Sequence, residues 1–221
     1  MISKSLQCVY IHIPKTGGTS IESKLGFHHG DELKRAQDHR RLRNVESGTW
    51  PPSRNAFGPV DFLHFLNQRL KGVFAGFDSL TYSEYCAFYK FAIVRNPWDR
   101  IYSWYRNVLR DPSHQKELGV ISDCDFAEFV NGHLDIWALN SQLDWIVDSS
   151  GEVAVDFVGR FESLQDSFDQ IGRTLGISDT ELPVLLHSGN ADYRKAYSTA
   201  LVDIIATKYE REISMFDYSF E

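Results

Sequence analysis

His12-Ile13-Pro14-Lys15-Thr16-Gly17-Gly18-Thr19-Ser20 lies between an apolar run and the start of a helical spacing. Upstream, residues 6–13 read as a short buried strand, which Pro14 ends. Downstream, Ile21 and Leu25 open a helical period, so the unit is strand, glycine loop, helix. Two adjacent glycines let the backbone turn tightly and bring its N–H groups towards an anion, and the following helix adds a partly positive end. The hydroxyls of Thr16, Thr19 and Ser20 can donate to the same oxygens. Lys15 adds a mobile point charge suited to negative charge developing on a leaving phosphate. A plain strand–turn–helix asks for the glycines but not for hydroxyls and a lysine beside them. The nucleotide-hydrolase loop GxxxxGK[ST] has the opposite order, with its lysine after the glycines.

Working outward, residues 91–94 form a short apolar run, Phe91-Ala92-Ile93-Val94, bounded by Lys90 and Arg95. That is the pattern of a fully buried strand. Pro97 follows, and residues 98–110 read as a helix with Ile101, Tyr105 and Val108 on one face. Residues 73–77 and 153–161 are further strand candidates, and residues 82–89, 126–130 and 163–175 are helix candidates, the last closed by Gly176. Leu201, Ile204, Ile205, Tyr209, Ile213 and Phe216 recur at spacings of three and four, which predicts one long C-terminal helix. Strands alternating with helices imply an α/β domain with a central, mainly parallel sheet flanked by helices in three layers. Ligands of such sheets bind at the carboxyl ends of the strands, where residues 14–20 and 95–100 are both expected. The chain is read as one domain over 1–221. Its irregular stretch at 44–71, with Pro51, Pro52, Pro59 and the apolar patch 62–66, is read as a lid or substrate loop.

Composition sets the outer limits. With 221 residues, 43% hydrophobic and 24% charged, the chain has the balance of a globular domain with a sizeable core. A net charge of −7 argues against a nucleic-acid partner, while a small anion needs only a few local cations. The three cysteines Cys8, Cys86 and Cys124 show no CxxC or Cys/His spacing, so buried thiols in a reducing compartment are expected and no metal site is. No run approaches the apolar length of a membrane span, and there is no signal-like leader, so a cytoplasmic chain is expected.

Arg95-Asn96-Pro97-Trp98-Asp99-Arg100-Ile101-Tyr102-Ser103 is the second informative segment. Arg95 leaves the end of a buried strand with a planar fork suited to bidentate phosphate binding, and Ser103 lies one or two turns into the helix that follows. The plainer reading is that Arg95 and Arg100 only pair with Asp99 and other acids.

The glycine loop closely resembles the 5′-phosphosulfate loop of the P-loop-like sulfotransferase superfamily, in particular family 2, with the carbohydrate 2-O-sulfotransferases and their bacterial relatives. The Arg95–Ser103 segment is similar to that family's second motif. Residues 156–164, Tyr193-Arg194-Lys195-Ala196-Tyr197 and Phe216-Asp217-Tyr218-Ser219-Phe220 resemble its later segments. The resemblance implies a donor, 3′-phosphoadenosine 5′-phosphosulfate, and a product, adenosine 3′,5′-bisphosphate, with no metal. It implies that Lys15, Thr16, Gly17, Gly18, Thr19 and Ser20 hold the donor's 5′ end and that Arg95 and Ser103 hold its 3′-phosphate. Arg194 and Lys195 would close over the nucleotide. The acceptor would be a small molecule or glycan with a free hydroxyl.

In-line transfer also needs a base for that hydroxyl, and histidine, with a pKa near neutrality, is the default. Among eight histidines, His39 in Asp38-His39-Arg40 stands first and His64 second, while His12 is expected to pack or support the loop. The 2-O-type enzymes carry their histidine where this chain has Ala75-Gly76-Phe77. Two rival readings stay open: a P-loop-type nucleotide kinase, and an inactive module of the same fold that binds the nucleotide or a glycan.

Overall fold

A computed structural model describes residues 1–27, 37–47, 49, 78–183 and 192–220. The strand expected at 73–77, the apolar patch 62–66 and nearly all of the lid at 44–71 lie outside the described residues, as do His64 and Ala75-Gly76-Phe77.

Four strands form the described sheet in the order β1-β2-β3-β4, namely Ile2–Ser3, Cys8–Ile11, Tyr89–Val94 and Phe157–Arg160. The edge strand β1 runs antiparallel to β2, whereas β2, β3 and β4 are mutually parallel, with Tyr10 opposite Phe91 and Phe91 opposite Phe157. Alternation of side chains across the pleat splits the core in two. Cys8, Tyr10, Phe91 and Ile93 face Ile21, Leu25, Phe168 and Ile171 on one side. Val9, Ile11, Ala92 and Val94 face Trp98, Ile101, Trp104, Phe129 and Trp145 on the other. Helices therefore cover both faces, as a parallel sheet with apolar strands requires. The expected three-layer, mainly parallel architecture is present.

Local chemistry explains the helices that frame the loops. Helix α1, Gly18–Lys24, begins directly after Gly17, whose φ of 84° lies in the left-handed region. Helix α2 is Leu42–Ser47, and α3, Tyr82–Ala87, opens with a capping box between Thr81 and Glu84. The Asn96 side chain caps the long α4, Pro97–Arg110, by accepting from the Trp98 N–H, and Pro97 occupies a first-turn position where its missing donor costs nothing. Beyond it come α5, Pro112–Leu118, α6, Phe126–His133, and α7, Leu143–Ile146. Helix α8, Leu164–Leu175, ends at Gly176 as the sequence suggests.

Three expectations need correction. The C-terminal helix is two helices, α9 at Thr199–Lys208 and α10 at Glu210–Phe216, separated by Tyr209. Tyr209 is buried and its hydroxyl donates to the Leu139 carbonyl at 2.6 Å, a tertiary anchor that periodicity does not reveal. Ile204 is exposed rather than part of the apolar face. Cys8 and Cys124 are buried thiols, but Cys86 is exposed. Among the described residues, no helix is long and apolar enough to cross a membrane.

Candidate active site

The glycine loop leaves the carboxyl end of β2 and enters α1. Its shape depends on both glycines. A Cβ on Gly17 would meet Leu164 Cδ2 at 2.7 Å, besides requiring an unfavourable φ. A Cβ on Gly18 would run into the His12 imidazole. Lys15 adopts a φ of 69°, a left-handed conformation that costs a non-glycine residue on the order of 1 kcal/mol. The Thr16 hydroxyl donates to the Ile13 carbonyl at 2.9 Å, and the Ser20 N–H to the Gly17 carbonyl at 3.2 Å. These bonds fix the turn from inside.

His12 lies beneath the loop. Its Nδ1 pairs with the Glu22 carboxylate on α1, and both side chains are buried. Gln37 ties the same group to the loop, donating to Glu22 Oε2 at 3.1 Å and to Thr19 Oγ1 at 3.3 Å. His39 follows two residues later, with its Nδ1 3.0 Å from the His12 carbonyl and its ring centroid 4.3 Å from that of His12. Burial first, then the nearby His12 ring, pushes the His39 pKa down to about 4, so the ring is neutral at pH 7. Asp38 is held well below the usual carboxylate range. Burial alone would raise it, but the Met1 ammonium and the Arg40 guanidinium overcome that effect.

The second loop closes on the first. Arg95 Nη1 donates to the Lys15 carbonyl at 3.0 Å, its Nε and Nη2 contact Asp99 Oδ2 at 2.9 and 2.8 Å, and its guanidinium lies 3.9 Å from the Phe161 ring centre. Arg100 is 1% exposed and donates to the carbonyls of Pro14, Asn140 and Ala138. It therefore acts as a structural brace rather than a surface cation. Lys15 Nζ donates to Asn107 Oδ1 at 3.3 Å. Burial, reinforced by the charges of Arg95 and Arg110, pushes its ammonium down to about 8. Ser103 is buried on α4.

The structure thus brings Lys15, the glycines, Thr16, Thr19, Arg95 and His39 to one end of the sheet. Arg194 and Lys195 occupy a 3₁₀ turn, Tyr193–Ala196, that packs on α4. The Tyr197 hydroxyl secures this turn by donating to the Trp98 carbonyl at 2.8 Å, while Arg194 itself pairs with Asp192 at 3.2 Å.

Sequence reasoning missed the support behind Arg95. Gln142 receives the Arg95 N–H at 2.9 Å and returns a bond to the Arg95 carbonyl at 2.7 Å. Glu212, wholly buried, accepts from the Gln142 N–H and from the Ser141 hydroxyl, and burial raises its carboxyl pKa. Neither residue stands in a motif. Only their distant contacts reveal them.

A sequence model described as "Sulfotransferase family" matches residues 1–219 of the chain. Neither a curated protein nor a solved structure matches it.

Proposed function

Since the chain belongs to the sulfotransferase family, we propose that it moves a sulfuryl group from 3′-phosphoadenosine 5′-phosphosulfate to a hydroxyl of a carbohydrate or other hydroxylated metabolite, releasing adenosine 3′,5′-bisphosphate. The observation that carries this reading is the junction at the end of β2, where a lysine, a glycine cradle, an arginine and a neutral histidine converge on residues 12–18. Glycine at both positions is what lets the loop turn against Leu164 and His12, and bare backbone N–H groups at a strand–helix turn suit a phosphate-bearing donor. Bound there, the donor supplies a sulfuryl group already joined to a phosphate leaving group.

The chain's own residues then divide the work. Lys15, Thr16, Gly17, Gly18, Thr19 and Ser20 hold the donor's 5′ end, Thr16 through its backbone because its hydroxyl is committed to the Ile13 carbonyl, and the Lys15 ammonium stabilises charge on the departing oxygens. Arg95 and Ser103 hold the 3′-phosphate, with Arg194 and Lys195 completing the nucleotide site. A guanidinium that already bonds through Nη1, Nη2 and Nε needs only to exchange Asp99 for phosphate. His39 takes the acceptor proton at Nε2. Its Nδ1 faces a carbonyl, which can only accept, so the ring proton sits on Nδ1 and the lone pair on Nε2. The scheme uses no metal. One domain over 1–221, with 44–71 as its lid, and a reducing, cytoplasmic setting for three unpaired thiols belong to the same proposal.

The test is calorimetric titration with adenosine 3′,5′-bisphosphate beside ADP and ATP–magnesium. Micromolar binding of the bisphosphate alone supports the reading. Binding of ATP–magnesium with silence towards the bisphosphate overturns it in favour of a kinase. Bisphosphate binding without turnover on a broad acceptor panel identifies an inactive nucleotide-binding module.

A further inference from the structure

Trp137 is 47% exposed, yet the turn that carries it is held by buried neighbours and by side chains from elsewhere in the fold. It opens the 3₁₀ turn Trp137–Leu139, whose next two residues, Ala138 and Leu139, are fully buried. Three successive carbonyls, two in this turn and that of Asn140 just after it, are occupied by side chains from elsewhere. Arg100 Nη2 donates to Ala138 at 2.5 Å, Tyr209 Oη to Leu139 at 2.6 Å, and Arg100 Nη1 to Asn140 at 3.2 Å. A large indole left half in water on a rigid backbone is an unusual surface feature, because such rings normally bury most of their area. Rigid aromatic faces bind ring ligands at low entropic cost.

Its position gives the indole a use. The Trp137 ring lies 5.7 Å from the His39 ring and 6.0 Å from the buried Trp145 ring. Arg100, which anchors the turn, also donates to the Pro14 carbonyl at 3.2 Å, at the root of the glycine loop. One buried side chain therefore fixes the offset between the donor loop and the exposed indole, while His39 stands beside that indole.

Building on the sulfuryl-transfer reading, we infer that Trp137 is an acceptor-positioning platform, on which the flat apolar face of a cyclic acceptor stacks with a hydroxyl presented to His39. The recognised chemistry is a rigid ring with one flat face, which pyranosides and phenols share and acyclic polyols lack.

The experiment compares wild type, Trp137→Ala and Trp137→Phe in sulfuryl transfer to methyl pyranosides, to simple phenols and to sorbitol. Bisphosphate binding is measured by calorimetry on each. The inference expects KM for the ring acceptors to rise about tenfold in Trp137→Ala, the size of one aromatic stacking contact, and to return most of the way in Trp137→Phe. Sorbitol transfer and bisphosphate affinity stay unchanged. Whichever ring series carries the tenfold effect identifies the source of the ring. Ring-acceptor KM values unchanged in Trp137→Ala overturn the inference, and so does an equal loss with sorbitol. A wild type that binds the bisphosphate but turns over no ring acceptor also overturns it. A wild type that fails to bind the bisphosphate sinks the parent reading instead, and the platform with it.

Discussion

His39 donates from Nδ1 to the main-chain carbonyl of His12 at 3.0 Å. The bond fixes the tautomer, because a carbonyl has no proton to give, and it ties the ring to the strand that leads into the glycine loop. Burial holds the ring pKa at about 4, so the lone pair on Nε2 is available throughout the neutral range. A general base contributes about 100- to 10,000-fold to a rate. His39→Ala should therefore lower kcat by at least about 100-fold with little change in bisphosphate affinity. His39→Phe, which keeps a ring beside Trp137 and Trp145, should be as inactive. A kcat within about threefold of wild type in either variant would assign the proton to another group.

Lys15 supplies the alkaline limit. Burial first, then the positive charges of Arg95 and Arg110, lowers its pKa to about 8. Only the ammonium form can stabilise a departing phosphate. The sign is therefore a kcat/KM that is present below pH 8 and falls as pH rises through it, since this parameter reports the free enzyme. For stability the sign is opposite: the fold disfavours the charged form, so the penalty is relieved as pH rises above the folded value towards that of an ordinary lysine. In Lys15→Arg, whatever activity survives should lose its alkaline limb, because a guanidinium stays charged. A limb that stays at the same pH in that variant would show that another group titrates.

The boundary of what the sequence discloses follows sequence distance. The β3 run of Phe91, Ala92, Ile93 and Val94 is apolar in every position because helices cover both faces, and that is visible in one line of sequence. The glycine loop is visible for the same reason, since turn, hydroxyls and lysine are contiguous. Gln142 is not, because its meaning lies in a bond to a residue 47 positions earlier, and Glu212 lies a further 70 beyond Gln142. Arg100 reads as one more cation of a charged segment. Its burial beneath three carbonyls is a tertiary fact that inverts that reading. Tyr209 likewise fits a helical period, while its anchored hydroxyl marks the break between α9 and α10.

Arg95 carries two duties that different variants should separate. It is 7% exposed and joins the Lys15 carbonyl to Asp99 across the two loops. Arg95→Ala should cost about 2 kcal/mol of stability, the range for losing hydrogen bonds to a charged group, and should also weaken bisphosphate binding strongly. Arg95→Lys keeps the charge but not the fork, so it should recover much of the stability and little of the affinity. Thermal melts and calorimetry on both variants decide the matter. A lowered melting temperature with unchanged bisphosphate affinity would make Arg95 a brace and nothing more.

Gly18 and Gly132 offer a paired test of how tightly the cradle is built. A methyl group on Gly18 would collide with the His12 ring, and that ring cannot simply retreat, because Nδ1 is paired with buried Glu22. Either the loop or the histidine must move, and overpacking of this kind costs about 1–3 kcal/mol. Because His39 hangs from the His12 carbonyl, the same displacement should reach the base and lower kcat in Gly18→Ala. Gly132 lies in α6 with nothing within 4 Å of an added Cβ, so Gly132→Ala should stabilise by about 0.5–1 kcal/mol through helix propensity alone. Urea denaturation of the two variants should therefore move the midpoint in opposite directions. If Gly18→Ala were as stable and as active as wild type, His12 and the glycine loop would not be packed against each other, and the route from donor loop to base through the His12 backbone would fail.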